Sequence, residues 1–154
     1  MTPTHIRSDV VAERAAWIRD MSGAIQKLPL ADYEEFVSDP RNVAAAESYL
    51  RRAIEALLDL GRHILSKGFA VAVTEYKEIG AKLSEKRVLS ETHALLLRRI
   101  AGYRNRMVHF YHEVSSRELY NLCTQILEDI ETILSAFIAW LRANPEKTDQ
   151  PAAE

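Results

Sequence analysis

The stretch RNVAAAESYLRRAIEALLDLGRHILS, residues 41–66, decides the fold of this chain because it reads as one long amphipathic helix. Apolar residues recur in it every three or four positions, which is the spacing of one face of an α-helix. Asp39 and Pro40 before it predict a capping carboxylate followed by proline at the first helical position. Gly68 is predicted to end the helix. The predicted buried stripe consists of Ala46, Tyr49, Leu50, Ala53, Ile54, Leu57, Leu58, Gly61, Ile64 and Leu65.

The same periodicity continues on both sides of this stretch. Ser115 and Glu118 have the spacing of a capping box, and the wide apolar face that follows them predicts a second long helix, ended by Pro145. The remaining predicted elements are a helix from Ser8 or Asp9 to Pro29, a helical turn over residues 32–37, a short helix over residues 74–83 capped by Thr74, and a helix that begins at Ser90.

Long helices joined by short connectors predict an all-α fold, an antiparallel helical bundle. Neither a convincing strand nor an internal repeat nor a glycine-rich phosphate loop is visible in the sequence. We expect one domain over residues 1–144 and a polar, disordered tail over residues 145–154.

Composition narrows the function classes. The chain has 154 residues, a formal net charge of -2 and a pI near 6.2, which argues against coating nucleic acid by bulk charge but allows a local basic cleft. Its only cysteine, Cys123, cannot form an intrachain disulfide. No apolar run approaches the roughly 18 residues that span a bilayer, and the N-terminus lacks the apolar segment of a signal peptide. We therefore expect a cytoplasmic protein.

The segment YRNRMVHFYH, residues 103–112, carries the candidate chemistry. An arginine that stays charged can stabilise a phosphorane-like transition state, and a histidine can move protons near neutral pH. Metal-free RNA cleavage needs these groups, a base for the 2′-hydroxyl and an acid for the 5′-oxygen. Arg104 and His109 are therefore the candidate catalytic residues, with Asn105 as support for His109 or for a phosphate oxygen.

Arg104 and His109 diverge on a straight helix because they lie five positions apart. They would converge if the helix bends between them, or if two copies of the chain meet across a dyad. On a continuous helix Asn105, His109 and His112 would share one face. Candidates for RNA or phosphate contacts are Arg98, Arg99, Arg106 and His112. The same residues also fit a solvated surface without any site, since an arginine and a histidine at this spacing occur by chance.

The block AGYRNRMVHFY, residues 101–111, resembles the signature of HEPN-domain toxins of the HepT type, which is written R-x4-H-x-Y. The predicted long helix over residues 41–66 is also similar to that family, and the resemblance covers roughly residues 7–141. It implies a HEPN four-helix bundle with an extra short helix. It also implies a homodimer with Arg104 and His109 lining a cleft at the dyad.

The resemblance further implies the toxin of a type VII toxin–antitoxin system, a metal-independent RNA endonuclease. Its implied partner is a minimal nucleotidyltransferase antitoxin (MntA-like), which uses ATP and Mg²⁺ to attach AMP to the motif tyrosine, here Tyr111. The toxin itself would need no cofactor and no metal. A larger toxin–antitoxin hetero-oligomer is compatible with this picture.

This sequence departs from many relatives at Phe110, where an acidic residue is common, and at Ser115, where aspartate is common. Asp59 on the long helix is a candidate cleft residue, whereas Glu55 fits a salt bridge better. Two alternatives remain open. The chain could be a non-catalytic HEPN binding module that pairs with a nucleotidyltransferase and binds nucleotide or phosphate, or a helical dimer without a site.

Overall fold

The computed structural model describes residues 2–149, which form six α-helices and two 3-10 turns without a β-strand. This confirms the all-α prediction. Four of the helices are long and two are short, one at the helical turn predicted over residues 32–37 and one near the short helix predicted over residues 74–83. The α-helices are α1 (Ser8–Gln26), α2 (Tyr33–Ser38), α3 (Pro40–Phe69), α4 (Tyr76–Glu85), α5 (Glu91–His109) and α6 (Ser116–Ala143), and the 3-10 turns are Tyr111–Glu113 and Pro145–Lys147.

Helix α3 is the centre of the bundle. It contacts each of the other five α-helices, and its apolar stripe forms much of the core. Its first turn is capped as predicted, because the Asp39 carboxylate accepts from the Arg41 backbone N–H at 2.9 Å and Pro40 opens the helix. The side chains with no exposed surface on α3 include Leu50, Ile54, Leu57, Leu58, Leu60, Ile64 and Leu65.

The end of α3 differs from the prediction. Gly68 lies inside the helix, and the chain leaves it at Ala70, whose backbone is left-handed with φ 55°. Gly68 is needed for close approach rather than for termination, because a Cβ there would lie 2.9 Å from Cδ1 of the buried Ile6. Close packing of the N-terminal segment therefore explains this glycine.

The N-terminal segment also orders the start of the predicted tail. The Ile6 N–H donates to the Lys147 carbonyl at 2.8 Å, and the Asp149 N–H donates to the Ile6 carbonyl at 2.9 Å. Residues 145–149, predicted to be disordered, are thus a 3-10 turn and an isolated bridge between Ile6 and Thr148. The rest of that prediction, residues 150–154, lies outside the described residues.

Serine caps start α5 and α6 as predicted. Ser90 accepts from the His93 N–H, and Ser115 accepts from the Glu118 N–H, each at 3.1 Å. The predicted Thr74 cap is wrong, because α4 begins at Tyr76 with Glu75 before it and without a side-chain cap. The Thr74 carbonyl instead accepts from Arg62 of α3, which ties the start of α4 to the central helix.

Helices α4 and α5 are in close contact at Gly80. A Cβ at this position would lie 2.6 Å from the Ala94 carbonyl oxygen, a backbone atom that cannot move alone. We expect Gly80→Ala to lower the free energy of unfolding by about 1–3 kcal/mol, the usual cost of overpacking. The measurement is urea unfolding followed by far-UV circular dichroism.

Gly23 in α1 is the matched control, because nothing lies within 4 Å of the position of its missing Cβ. Gly23→Ala should raise the unfolding free energy by up to about 1 kcal/mol, since alanine favours a helix interior. Equal effects at the two glycines would contradict the close approach of α4 to α5.

Within residues 2–149, no helix combines the length and the hydropathy that a transmembrane segment requires.

Candidate active site

Helix α5 carries both candidate catalytic residues without a break between them. It runs from Glu91 to His109, and the backbone leaves helical geometry only at Phe110, with φ -131° and ψ 38°. Five positions on a regular helix correspond to about 140° of rotation, so Arg104 and His109 face different sides of α5. An interruption of the helix between the two residues is therefore not observed, and this favours the second predicted arrangement, in which two copies of the chain meet.

The Arg104 side chain is largely buried and held from several directions. Its Nη2 donates to Glu55 Oε2 of α3 at 3.3 Å, and its Nη1 donates to Asn105 Oδ1 at 3.2 Å. Only 17% of the side chain is exposed, and its buried Nε has no hydrogen-bond partner among residues 2–149. Glu55 therefore forms an inter-helix salt bridge. The Asn105 side chain accepts from Arg104, whereas the sequence suggested support for His109 or for a phosphate oxygen.

Tyr76 of α4 packs against Arg104. Its ring centroid lies 4.6 Å from Arg104 Cζ and also 4.6 Å from Arg62 Cζ, both within cation–π range. The Tyr76 hydroxyl donates to Asp59 Oδ1 at 3.1 Å, and burial, together with the negative charge of Asp59, raises the pKa of Tyr76. Asp59, the predicted cleft residue, thus reaches Arg104 only through the Tyr76 ring.

The sequence did not single out Tyr76. The contact of Tyr76 with Arg104 depends on how α4 packs against α3 and α5. The spacing of residues in the sequence does not predict this packing. The one sequence signal is an aromatic residue at the start of a short helix, which fits an ordinary core residue equally well.

The segment from His109 to Glu113 is exposed. His109, the last residue of α5, and His112 both lie at the surface, and Tyr111 is 71% exposed. Among residues 2–149, no group hydrogen-bonds the His109 imidazole or the Tyr111 hydroxyl. Because α5 ends at His109, His112 belongs to a 3-10 turn and does not continue the face of Asn105 and His109.

Tyr111 borders a hollow of about 200 Å³ between the start of α3, the end of α5 and the start of α6. Met107, Val114 and Leu119 contribute apolar surface to this hollow, and the Tyr111 ring meets the His112 ring edge-on with centroids 5.8 Å apart. The tyrosine hydroxyl is therefore accessible to a second protein, while part of the ring lies against an apolar recess.

A groove of about 410 Å³ lies between α4 and α5 and is lined by cations without any carboxylate. We call it the basic groove. Its lining residues are Lys77, Leu95, Arg98, Arg99, Gly102, Tyr103 and Arg106. Arg98 and His109 are eleven positions apart on α5, about three turns, so the groove leads toward His109.

The predicted phosphate contacts in the basic groove are not equivalent. Arg98 and Arg99 are exposed, and neither forms an ion pair with another described residue. Arg106 is bound by the Glu118 carboxylate of α6 through both Nη atoms, and this hydrogen bonding raises the pKa of Arg106. Glu118 was predicted to reach back to the helix cap. It neutralises Arg106 instead, so Arg98, Arg99 and Lys77 supply the charge of the groove.

The described residues offer little other reactive chemistry. Burial raises the pKa of the Cys123 thiol to about 12, so it remains protonated at neutral pH and is a poor nucleophile. Residues 2–149 contain no group of three or more His, Cys, Asp or Glu side chains arranged to hold a metal ion.

Comparison with known proteins identifies the relatives of this fold. The family model "Ribonuclease HepT-like" matches residues 18–137. The solved structure of a tri-AMPylated Shewanella oneidensis HEPN toxin in complex with an MNT antitoxin is 22% identical, with a TM-score of 0.77, and the match covers 86% of this chain and 98% of that chain.

Two further solved structures are similar. A toxin–antitoxin with AMP-PNP is 21% identical with a TM-score of 0.76, covering 84% of this chain and 98% of that one. YutE from Bacillus subtilis, a cytosolic protein of unknown function, is 18% identical with a TM-score of 0.73. The match covers 93% of this chain and 94% of that chain. No curated protein matches. At these identities the structures establish the shared fold.

Proposed function

The chain belongs to the HepT-like ribonuclease family, and from that premise we propose that it is a metal-independent RNA endonuclease and the toxin of a type VII toxin–antitoxin pair. The observation that carries the proposal is the end of α5. There an anchored arginine, Arg104, is followed by an exposed histidine and an exposed tyrosine on one short segment.

The proposed reaction is attack of the RNA 2′-hydroxyl oxygen on the adjacent phosphorus. A histidine removes the 2′-hydroxyl proton, the bond to the 5′-oxygen breaks, and that oxygen receives a proton as it leaves. His109 is the residue for these transfers because its imidazole is exposed and no described group hydrogen-bonds it. Arg104 stabilises the negative charge that develops on the phosphoryl oxygens.

The proposed site is shared between two copies of the chain. The divergence of Arg104 and His109 on an unbroken α5 supports a site that combines side chains from two copies. We propose a homodimer that brings the two α5 ends together, with each copy supplying part of each site.

We propose further that a minimal nucleotidyltransferase antitoxin silences the protein by attaching AMP to Tyr111. ATP and Mg²⁺ would belong to the antitoxin. Support comes from the Shewanella relative, whose structure is of a tri-AMPylated HEPN toxin with an MNT antitoxin, and from the 71% exposure of Tyr111. AMP on Tyr111 would add bulk and negative charge two residues from His109.

The direct test is an RNA cleavage assay on protein expressed without its antitoxin, in the presence of EDTA. Cleavage that continues at full rate supports the proposal, and cleavage that stops on chelation contradicts metal independence. Protein that cleaves no RNA yet binds ATP or a nucleotidyltransferase would favour the alternative of a non-catalytic HEPN binding module.

The basic groove predicts where RNA binds. We expect Arg98→Ser/Arg99→Ser, made in a His109→Ala background so that binding is separated from cleavage, to weaken single-stranded RNA binding. The salt dependence, d log K/d log[salt], should become shallower by roughly 1.4, because each lost phosphate contact on a single strand removes roughly 0.7. Fluorescence anisotropy at several salt concentrations measures both quantities.

The matched control is Arg19→Ser/Arg142→Ser in the same background. Both arginines are exposed on other helices, and neither lines the groove. The control removes the same charge, so an equal loss of affinity would show that net charge, and not the groove, governs binding.

A further inference from the structure

The ring of Tyr76 lies against the candidate catalytic arginine and is itself fixed by the central helix. Arg104 Cζ is 4.6 Å from the ring centroid, and the Tyr76 hydroxyl donates to Asp59 of α3 at 3.1 Å. We infer that Tyr76 is a positioning residue, which holds the Arg104 guanidinium in the orientation that meets the scissile phosphate. The inference rests on the proposed ribonuclease function and extends it to a residue outside the R-x4-H-x-Y motif.

Arg104 needs such a support because hydrogen bonds alone leave its orientation incomplete. Within the described part of the chain, Glu55 and Asn105 each accept from one of the five N–H donors of the guanidinium, and the buried Nε–H has no partner. A long side chain held at its tip by single bonds can still rotate about its own axis. An aromatic ring against the planar guanidinium restricts that rotation, and it leaves N–H donors of Nη1 and Nη2 available for phosphate oxygens.

The ring can act as a support because its own position is fixed. Arg62 Cζ also lies 4.6 Å from the ring centroid, and the Arg62 Nε and Nη2 atoms donate to the Val73 and Thr74 carbonyls at 3.0 and 3.2 Å. These bonds hold the segment just before Tyr76 against α3. The start of α4 therefore cannot shift without breaking contacts to the central helix.

Charge also favours this arrangement. Two guanidinium groups against one ring would repel each other, but each has a carboxylate partner on α3, Glu55 for Arg104 and Asp59 for Arg62. Arg51 pairs with Glu55 at 2.9 Å and fixes that carboxylate in turn. The alternating charges keep Arg104 near the ring without drawing it away from the α5 surface.

The kinetic test compares Tyr76→Leu with Tyr76→Phe. Leucine removes the ring, and we expect kcat for RNA cleavage to fall about 10- to 100-fold with little change in KM, because misplacing a catalytic group by about 1 Å costs that much. Phenylalanine keeps the ring and loses only the bond to Asp59, so kcat should stay within about threefold of wild type. In an Arg104→Ala background, Tyr76→Leu should cause no further loss, since Tyr76 acts through Arg104.

Tyr33→Leu is the matched control. It removes another tyrosine–arginine contact, in which Arg117 Cζ lies 3.6 Å from the Tyr33 ring centroid, at a place that does not touch Arg104. This variant should keep the wild-type kcat. An unchanged kcat in Tyr76→Leu, or an equal further loss in the Arg104→Ala background, would overturn the inference.

A measurement independent of activity separates this inference from the proposed function. The Arg104 Nε–H proton resonance should carry a ring-current shift from Tyr76 that persists in Tyr76→Phe and disappears in Tyr76→Leu. If the wild-type protein cleaves no RNA but the resonances behave this way, the proposed function fails and the positioning contact stands. If the resonance is identical in all three proteins, the positioning role is overturned.

Discussion

Replacing His109 with alanine should lower the rate of RNA cleavage by about 10²–10⁴-fold, the usual contribution of a general acid or base. The fold should be unaffected, because the side chain is exposed and no described residue hydrogen-bonds it. Such surface substitutions change stability by no more than about 0.5 kcal/mol. Cleavage of a fluorescent RNA, with thermal unfolding measured on the same samples, checks both statements.

His93→Ala is the control for this experiment. His93 lies in the first turn of the same helix, at the opposite end from His109. Its replacement tests whether the effect on cleavage is specific to His109 or follows the loss of any histidine from α5. It should leave cleavage and stability unchanged. A His109→Ala protein that cleaves at the wild-type rate would remove the histidine from the mechanism.

A mixing experiment tests where the second half of the site comes from. Arg104→Ala and His109→Ala proteins should each retain only a small residual rate of cleavage when assayed alone. Random exchange of subunits gives half heterodimers, each with one intact site, so the mixture should recover about a quarter of the wild-type activity. The shared site was proposed because Arg104 and His109 diverge on the unbroken α5. A mixture that recovers no activity would contradict it.

The local features of this fold could be predicted because their causes lie within a few residues of each other. The caps Asp39, Ser90 and Ser115 follow from side chains that reach backbone N–H groups two or three positions ahead. The apolar periodicity similarly predicted the stripe of α3. For the same reason Arg104, His109 and Tyr111 were accessible to sequence reasoning as a short motif.

The features that escaped prediction depend on residues far apart in the chain. Gly68 packs closely against Ile6, which lies on a segment that also binds Lys147. Arg106 is neutralised by Glu118 across two helices, and Tyr76 reaches Arg104 only after α4 docks on α3. Each contact is set by tertiary packing, which periodicity and capping rules do not contain.

The end of α5 therefore combines a fixed arginine with two exposed side chains. Arg104 is fixed by Glu55, Asn105 and Tyr76, whereas His109 and Tyr111 lie exposed beyond it. A rigid cation suits stabilisation of a developing charge, since a preorganised group loses little freedom during the reaction. An exposed tyrosine two residues from the candidate catalytic histidine suits control by another protein, because a modifying enzyme must reach its hydroxyl.

Attachment of AMP to Tyr111 is expected to change the rate of RNA cleavage strongly. Protein coexpressed with its nucleotidyltransferase should gain intact mass in AMP-sized steps and lose RNA cleavage by about 10²-fold or more. A phosphate tethered to Tyr111 competes with RNA for the nearby cations at an effective concentration in the millimolar range. Tyr111→Phe should gain no mass, remain an active ribonuclease and stay active in the presence of the antitoxin.

Tyr120→Phe is the matched control for the modification, because the Tyr120 hydroxyl already donates to the Leu30 carbonyl at 2.6 Å and is unavailable to a transferase. This variant should gain the same mass as wild type and be silenced equally. Two results would contradict the switch. Mass gain that persists in Tyr111→Phe would place the modification elsewhere. An inactive Tyr111→Phe protein would make the hydroxyl part of the cleavage chemistry, because removal of a pure regulatory site leaves the reaction intact.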